Sequence, residues 1–147
     1  MEDVFSSAMQ DAVIKTFSDM AFIDVVSENS TLDIQIDNIL KIDITEPVEW
    51  EIYFCLSNEL KKTLIENIFS VDFSEVKESQ IDDCLLEVLN VLAGNFTGNY
   101  FGKDTFYKID FPEVIFETKN FSKGKKNVLL FNAEGIYFEI IYCKKRV

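Results

Sequence analysis

With 147 residues, 48% of them apolar and 14 of them Phe, the chain has the material for one packed core and lacks the composition of a disordered segment. A net charge of −12 argues against a nucleic-acid partner, which would be bound through clustered Lys and Arg. The absence of His removes Ser-His and Cys-His nucleophilic mechanisms, and Cys55, Cys84 and Cys143 show no C-x-x-C spacing for a zinc site or disulfide framework.

The first segment spaces Phe5, Met9, Val13, Phe17 and Met20 at three- and four-residue intervals, predicting an amphipathic helix over about residues 2–21. Runs with a period of two follow. Leu32, Ile34 and Ile36 form one, Leu40, Ile42 and Ile44 a second, and Trp50, Ile52, Phe54 and Leu56 a third. They predict three half-buried strands, separated at Asp37-Asn38 and at Glu46-Pro47. Ser57 is a natural N-cap for a second helix over about 57–69, whose apolar positions are Leu60, Leu64, Ile65 and Ile68. A third helix is expected over about 78–101. Beyond it, strand patterns occupy 107–111, 114–118, 127–132 and 136–143, with turns at Ser122-Lys123-Gly124 and Ala133-Glu134-Gly135. Strands grouped in runs between helices predict a single α+β domain over 1–147, with a largely antiparallel sheet and helices packed on one face. No apolar run reaches the roughly 18 residues of a membrane span. Glu2 and Asp3 stand where a signal peptide would carry basic residues, so a cytoplasmic location is expected. Lys119, Lys123, Lys125, Lys126, Lys144, Lys145 and Arg146 read as solvated hairpin and tail charges.

The third helix carries the functional signal. On a wheel advancing about 100° per residue from Asp83, the residues Ile81, Leu85, Val88, Leu89, Leu92 and Phe96 fall between about 140° and 240°. Glu87, Asn90 and Gly94 fall within about 40° of Asp83, directly opposite, and Thr97 and Gly98 continue that line within about 60°. An amphipathic surface helix accounts for Asp83 and Glu87 alone. It accounts poorly for glycines, each of which costs about 1 kcal/mol relative to Ala in a helix interior. Small residues beside an Asp-Glu-Asn line point to a face that a partner approaches closely.

Asp83-x3-Glu87-x2-Asn90, followed after twenty-one residues by Pro112, within LLEVLNVLAGN and IDFPEV, resembles the signature of the CheX/CheC chemotaxis phosphatase family. The order of elements matches that family over most of the chain. Only one E-x-x-N helix is present, because SNELKKTLIENIF carries no second copy; this is similar to CheX and unlike CheC, which typically has two. The resemblance implies a CheC-like fold and hydrolysis of the aspartyl phosphate on CheY-like response-regulator receivers. Asn90 would orient the attacking water and Glu87 would pair with the receiver's lysine. Asp83, Gly94 and Pro112 would contact the partner. Magnesium would come with the phosphorylated receiver, and the chain would hold no cofactor or metal of its own. The resemblance also allows a homodimer through a sheet edge, with Trp50 among the candidate contacts. Two other readings stand beside it. One is a non-catalytic module that binds a receiver or flagellar-switch component through the same face. The other, weaker, is a metal site among Asp82, Asp83 and Glu87.

Overall fold

The computed structural model describes residues 4–116 and 126–145. The predicted turn at Ser122-Lys123-Gly124, the end of the strand predicted over 114–118, and Lys119, Lys123, Lys125 and Arg146 lie outside the described residues. Three helices, α1 (Val4–Ala21), α2 (Asn58–Phe69) and α3 (Glu78–Phe101), combine with seven strands. The strands are β1 (Val25–Glu28), β2 (Asn38–Glu46), β3 (Trp50–Leu56), β4 (Lys108–Ile109), β5 (Glu113–Ile115), β6 (Asn127–Ala133) and β7 (Ile136–Lys144). A short 3-10 turn, Phe73–Glu75, precedes α3. The strands form one sheet in the order β1-β6-β7-β3-β2-β4, with β5 paired to β2 as well. Each of these pairings is antiparallel. This is the expected α+β architecture.

The period-two pattern explains which face is covered. Leu40, Ile42 and Ile44 of β2, Ile52, Phe54 and Leu56 of β3, and Phe138, Ile140 and Tyr142 of β7 point to the helices and join the main core. Phe5, Met9, Val13 and Phe17 of α1, Leu60, Leu64 and Ile65 of α2, and the apolar stripe of α3 close that core from the other side. Aromatic packing is dense there: Phe138 stacks on Phe17 at 4.8 Å and on Phe131 at 5.2 Å between ring centroids. The alternate residues, Ile39, Tyr53, Cys55 and Ile141, form a smaller apolar cluster on the outer face. Beside it Lys41 Nζ lies 2.8 Å from a Glu51 carboxylate oxygen. The Tyr53 hydroxyl donates to Glu51 at 3.1 Å, and Lys145 reaches Asp43 at 3.7 Å. The basic residues at the chain's end are therefore partly tied to the sheet and are not all solvated tail charges.

Several elements follow the sequence pattern closely. The Ser57 side chain accepts the Leu60 N–H at 3.2 Å and starts α2. Glu134 and Gly135 both take positive φ, 50° and 102°, the two-residue turn whose twist suits a tight hairpin, and Asn132 Oδ1 accepts the Gly135 N–H at 2.7 Å. Others do not. Residues 32–36 form no strand, and β1 pairs with β6 instead. The segment between β1 and β2 must pass β6, β7 and β3 to reach its place in the sheet, so it runs across the strands and cannot join them. Asn38, expected in a turn, opens β2. Of 107–111 only Lys108–Ile109 pairs. Trp50 sits half-buried in an interior strand, at no sheet edge, and packs its ring 4.0 Å from that of Phe5. No helix among the described residues is long and apolar enough to cross a membrane.

Candidate functional site: the outward face of α3

Helix α3 is held at both ends by local chemistry. The Gln80 side chain accepts the Lys77 N–H at 3.1 Å, and Glu78 places a negative charge in the first turn, where the helix dipole favours it. At the other end Gly102, at φ 87°, donates its N–H to the Gly98 carbonyl at 3.2 Å and stops the helix. Between these ends Ile81, Leu85, Val88, Leu89, Leu92 and Phe96 are buried, as the wheel predicts. Two polar contacts fix the helix against α1: Asn95 Nδ2 donates to Thr16 Oγ1 at 3.0 Å, and Asn99 Nδ2 donates to the Ala8 carbonyl at 3.2 Å. In the sequence Asn95 stands out only as the end of LLEVLNVLAGN and Asn99 not at all, although both fall on the core side of the same wheel, at about 120° and 160°. A polar side chain there needs a partner.

Asp83, Glu87 and Asn90 are all exposed, one turn above another on the side away from the core. Gly94 and Gly98 are half-buried, and a methyl group built on either meets no atom within 4 Å. Nothing inside the chain requires these positions to be small. Thr97, expected on the same outward line, is instead fully buried and donates its hydroxyl to the Gly94 carbonyl at 2.9 Å. Burial by α1 and by the β2–β5 edge wraps further round the helix than its apolar stripe alone suggests. Cys84, beside the row, has its thiol pushed up in pKa by burial and then by the Glu87 charge, so it is a poor nucleophile at neutral pH.

Facing this row is the break between β4 and β5. Both strands lie along the same side of β2, β4 against Ile44 and Glu46 and β5 against Ile39, Leu40 and Lys41. In between, Asp110 N–H donates to the Asp43 carbonyl at 2.9 Å, and the Phe111 N–H turns back to Asp110 Oδ1 at 2.9 Å. Pro112 has no N–H to offer, so the ladder lapses here and the chain bulges towards α3. The result is a groove of about 390 Å³. Asp83, Leu86, Glu87 and Asn90 form its helix wall, and Ile109, Asp110, Phe111 and Pro112 form the other. All of the predicted site residues except Gly94 line it. Asp110 and Phe111 are additions, foreshadowed only by the Phe-Pro dipeptide that breaks the strand. Among the described residues its lining includes three carboxylates and no Lys or Arg. Among the described residues no group of three His, Cys, Asp or Glu side chains converges as metal ligands do.

No protein-family model matches the sequence, and no curated protein matches it. Solved structures do. The CheX chemotaxis protein of Desulfovibrio desulfuricans superposes with a TM-score of 0.78 at 14% identity, covering 96% of this chain and 99% of its own. The chain has the CheC-like fold. A CheC-like superfamily protein from Shewanella sp. PV-4 gives a TM-score of 0.76 at 15% identity over 99% of this chain and 100% of its own. The CheX-CheY-BeF3-Mg2+ complex of Borrelia burgdorferi gives 0.75 at 18% identity, covering 97% of this chain and 98% of that one.

Proposed function

We propose that the chain is a phosphatase that removes the aspartyl phosphate from a CheY-like receiver, using the groove between α3 and Phe111-Pro112. The observation that carries this reading is that Pro112, more than twenty residues on, lines one open groove together with Glu87 and Asn90 of α3. The complex of a similarly folded CheX with CheY supports a receiver as the partner.

The charge of the groove narrows the substrate. A phosphoryl group carries negative charge, and the three carboxylates among the described lining residues repel it at close range. A phosphoryl that enters must bring its own countercharge. An aspartyl phosphate in a receiver does so, since magnesium and a lysine accompany it and stabilise transition-state charge. What the partner lacks is a water held in line with the breaking P–O bond. The Asn90 carboxamide offers an acceptor and donors to hold one, as a water-positioning Gln does in GTPases. Glu87 takes the receiver's lysine in an ion pair and sets the helix in register. Asp83, Gly94 and Pro112 complete the docking face. The chain contributes position, and the partner contributes the metal.

The test separates the two central residues. Phospho-receiver turnover is followed at several receiver concentrations, with binding measured directly. Asn90→Ala binds nearly as well as the parent and hydrolyses more slowly by about 10²–10³, the loss typical of one preorganised transition-state contact. Glu87→Ala loses apparent affinity, and its defect shrinks as receiver concentration rises. Full turnover by Asn90→Ala would hand the groove to the other reading, a receiver-binding module without catalysis.

A further inference from the structure

The segment from Phe106 to Phe116 leaves three phenylalanines almost bare: Phe106 is 73% exposed, Phe111 92% and Phe116 86%. Exposed apolar side chains scattered singly need no explanation. Phe111 differs from the other two because it lines the acidic groove, and they do not. Its backbone is also pinned. Asp110 N–H is bonded to the Asp43 carbonyl, the Phe111 N–H is bonded to Asp110 Oδ1, and the following Pro112 confines Phe111 to extended conformations. A bare aromatic ring on a fixed backbone, with only two side-chain torsions to freeze, loses little entropy when a partner covers it. Around it stand Asp83, Glu87 and Asp110. The surface that complements this arrangement is an apolar recess next to a basic side chain.

We propose that Phe111 is the docking anchor of the site: its ring enters an apolar recess of the receiver, beside the lysine that Glu87 takes, and so selects which receivers the chain accepts. The inference rests on the receiver-phosphatase reading above and adds the residue that supplies affinity, as central aromatic residues do in other interfaces. It assigns Phe111 no contact with the reacting atoms. Its removal therefore acts on binding and leaves the chemical step intact.

The experiment uses the CheY-type receivers of the source organism, activated with beryllofluoride and magnesium for binding and phosphorylated for turnover. Phe111→Ala weakens binding by roughly 10- to 100-fold. It raises KM and leaves kcat unchanged, and Phe111→Leu recovers part of the affinity. Phe106→Ala and Phe116→Ala, equally exposed but outside the groove, stay within about twofold of the parent. Affinity within twofold for Phe111→Ala overturns the anchor and leaves the phosphatase reading intact, provided Asn90→Ala still loses turnover. Equal losses in all three alanine variants also overturn it, since they mark general stickiness of an aromatic segment. If the parent chain neither binds nor dephosphorylates any receiver, the underlying reading fails and the anchor fails with it.

Discussion

Gly94→Leu should make the protein more stable and less active at once. The position lies in the interior of α3, where Gly is about 0.8–1.0 kcal/mol less favourable than Ala and Leu is within a few tenths of Ala. A Cβ built at Gly94 meets no atom of the surrounding structure within 4 Å, so the first carbon of the new side chain has room. The expected net is about 0.7 kcal/mol of added stability, an increase in Tm of about 2 °C for a chain of this size. Docking responds in the opposite sense. An isobutyl group raised on the proposed docking face would have to be accommodated by displacing one surface, a cost of about 1–3 kcal/mol when packed surfaces are overfilled. That corresponds to an affinity loss of roughly 5- to 150-fold. Urea unfolding followed by circular dichroism reads the first effect, and phospho-receiver decay at subsaturating concentration reads the second. A variant that gains stability and keeps full turnover would show that the glycine faces only solvent and that the docking face has been misassigned. A variant that loses stability would contradict the open space seen above Gly94.

Two further outcomes concern the scaffold. Phe138→Ala, at a fully buried ring packed between Phe17 and Phe131, is expected to cost about 3–5 kcal/mol in urea unfolding, and a cost below 1 kcal/mol would mean this part of the core is loosely packed. The Tyr53 phenol is pushed up from 10.0 to about 12, first by burial and then by the Glu51 charge. Because the folded value is the higher one, this group's contribution to stability is complete below pH 10 and is lost as pH rises towards 12. Unfolding free energy should therefore fall more steeply between those limits in the parent than in Tyr53→Phe, and parallel curves would refute the assignment.

The parts of the molecule legible in the sequence are those in which a single periodicity decides burial. The stripe of α3 is the clearest case, with Leu85, Leu89, Leu92 and Phe96 inside and Asp83, Glu87 and Asn90 outside. Alternation in 32–36 misled because it reports a side chain's partial burial and carries no information about hydrogen-bonded neighbours. Ile36 does pack against the outer apolar cluster, yet the segment crosses the sheet. Thr97 went wrong for a related reason: a helical wheel assumes one covered side, and α3 is covered by α1 and by the β2–β5 edge. The second wall of the groove was only partly legible. The family resemblance implies Pro112, whereas the alternation makes Phe111 the end of a strand, and its freedom from the core depends on where β4 and β5 meet β2.

The position of β7 bears on how this groove comes into being. It is the last described strand in chain order, yet it lies in the middle of the sheet, with Trp50 opposite Lys144 and Cys55 opposite Glu139. Contacts between segments so distant in sequence require a large loop to close before they return any stabilisation, which places the fold among slow, high-contact-order topologies. The outward row of α3 lies within one helix, so its spacing is set by local hydrogen bonds. The wall opposite hangs on β2, which with β3, β4 and β5 joins the rest of the sheet, among the described residues, only through the β3–β7 pairing. Without that last pairing Glu87 and Asn90 would have no fixed wall set against them, so the groove assigned to the receiver depends on a strand contact far from it in sequence.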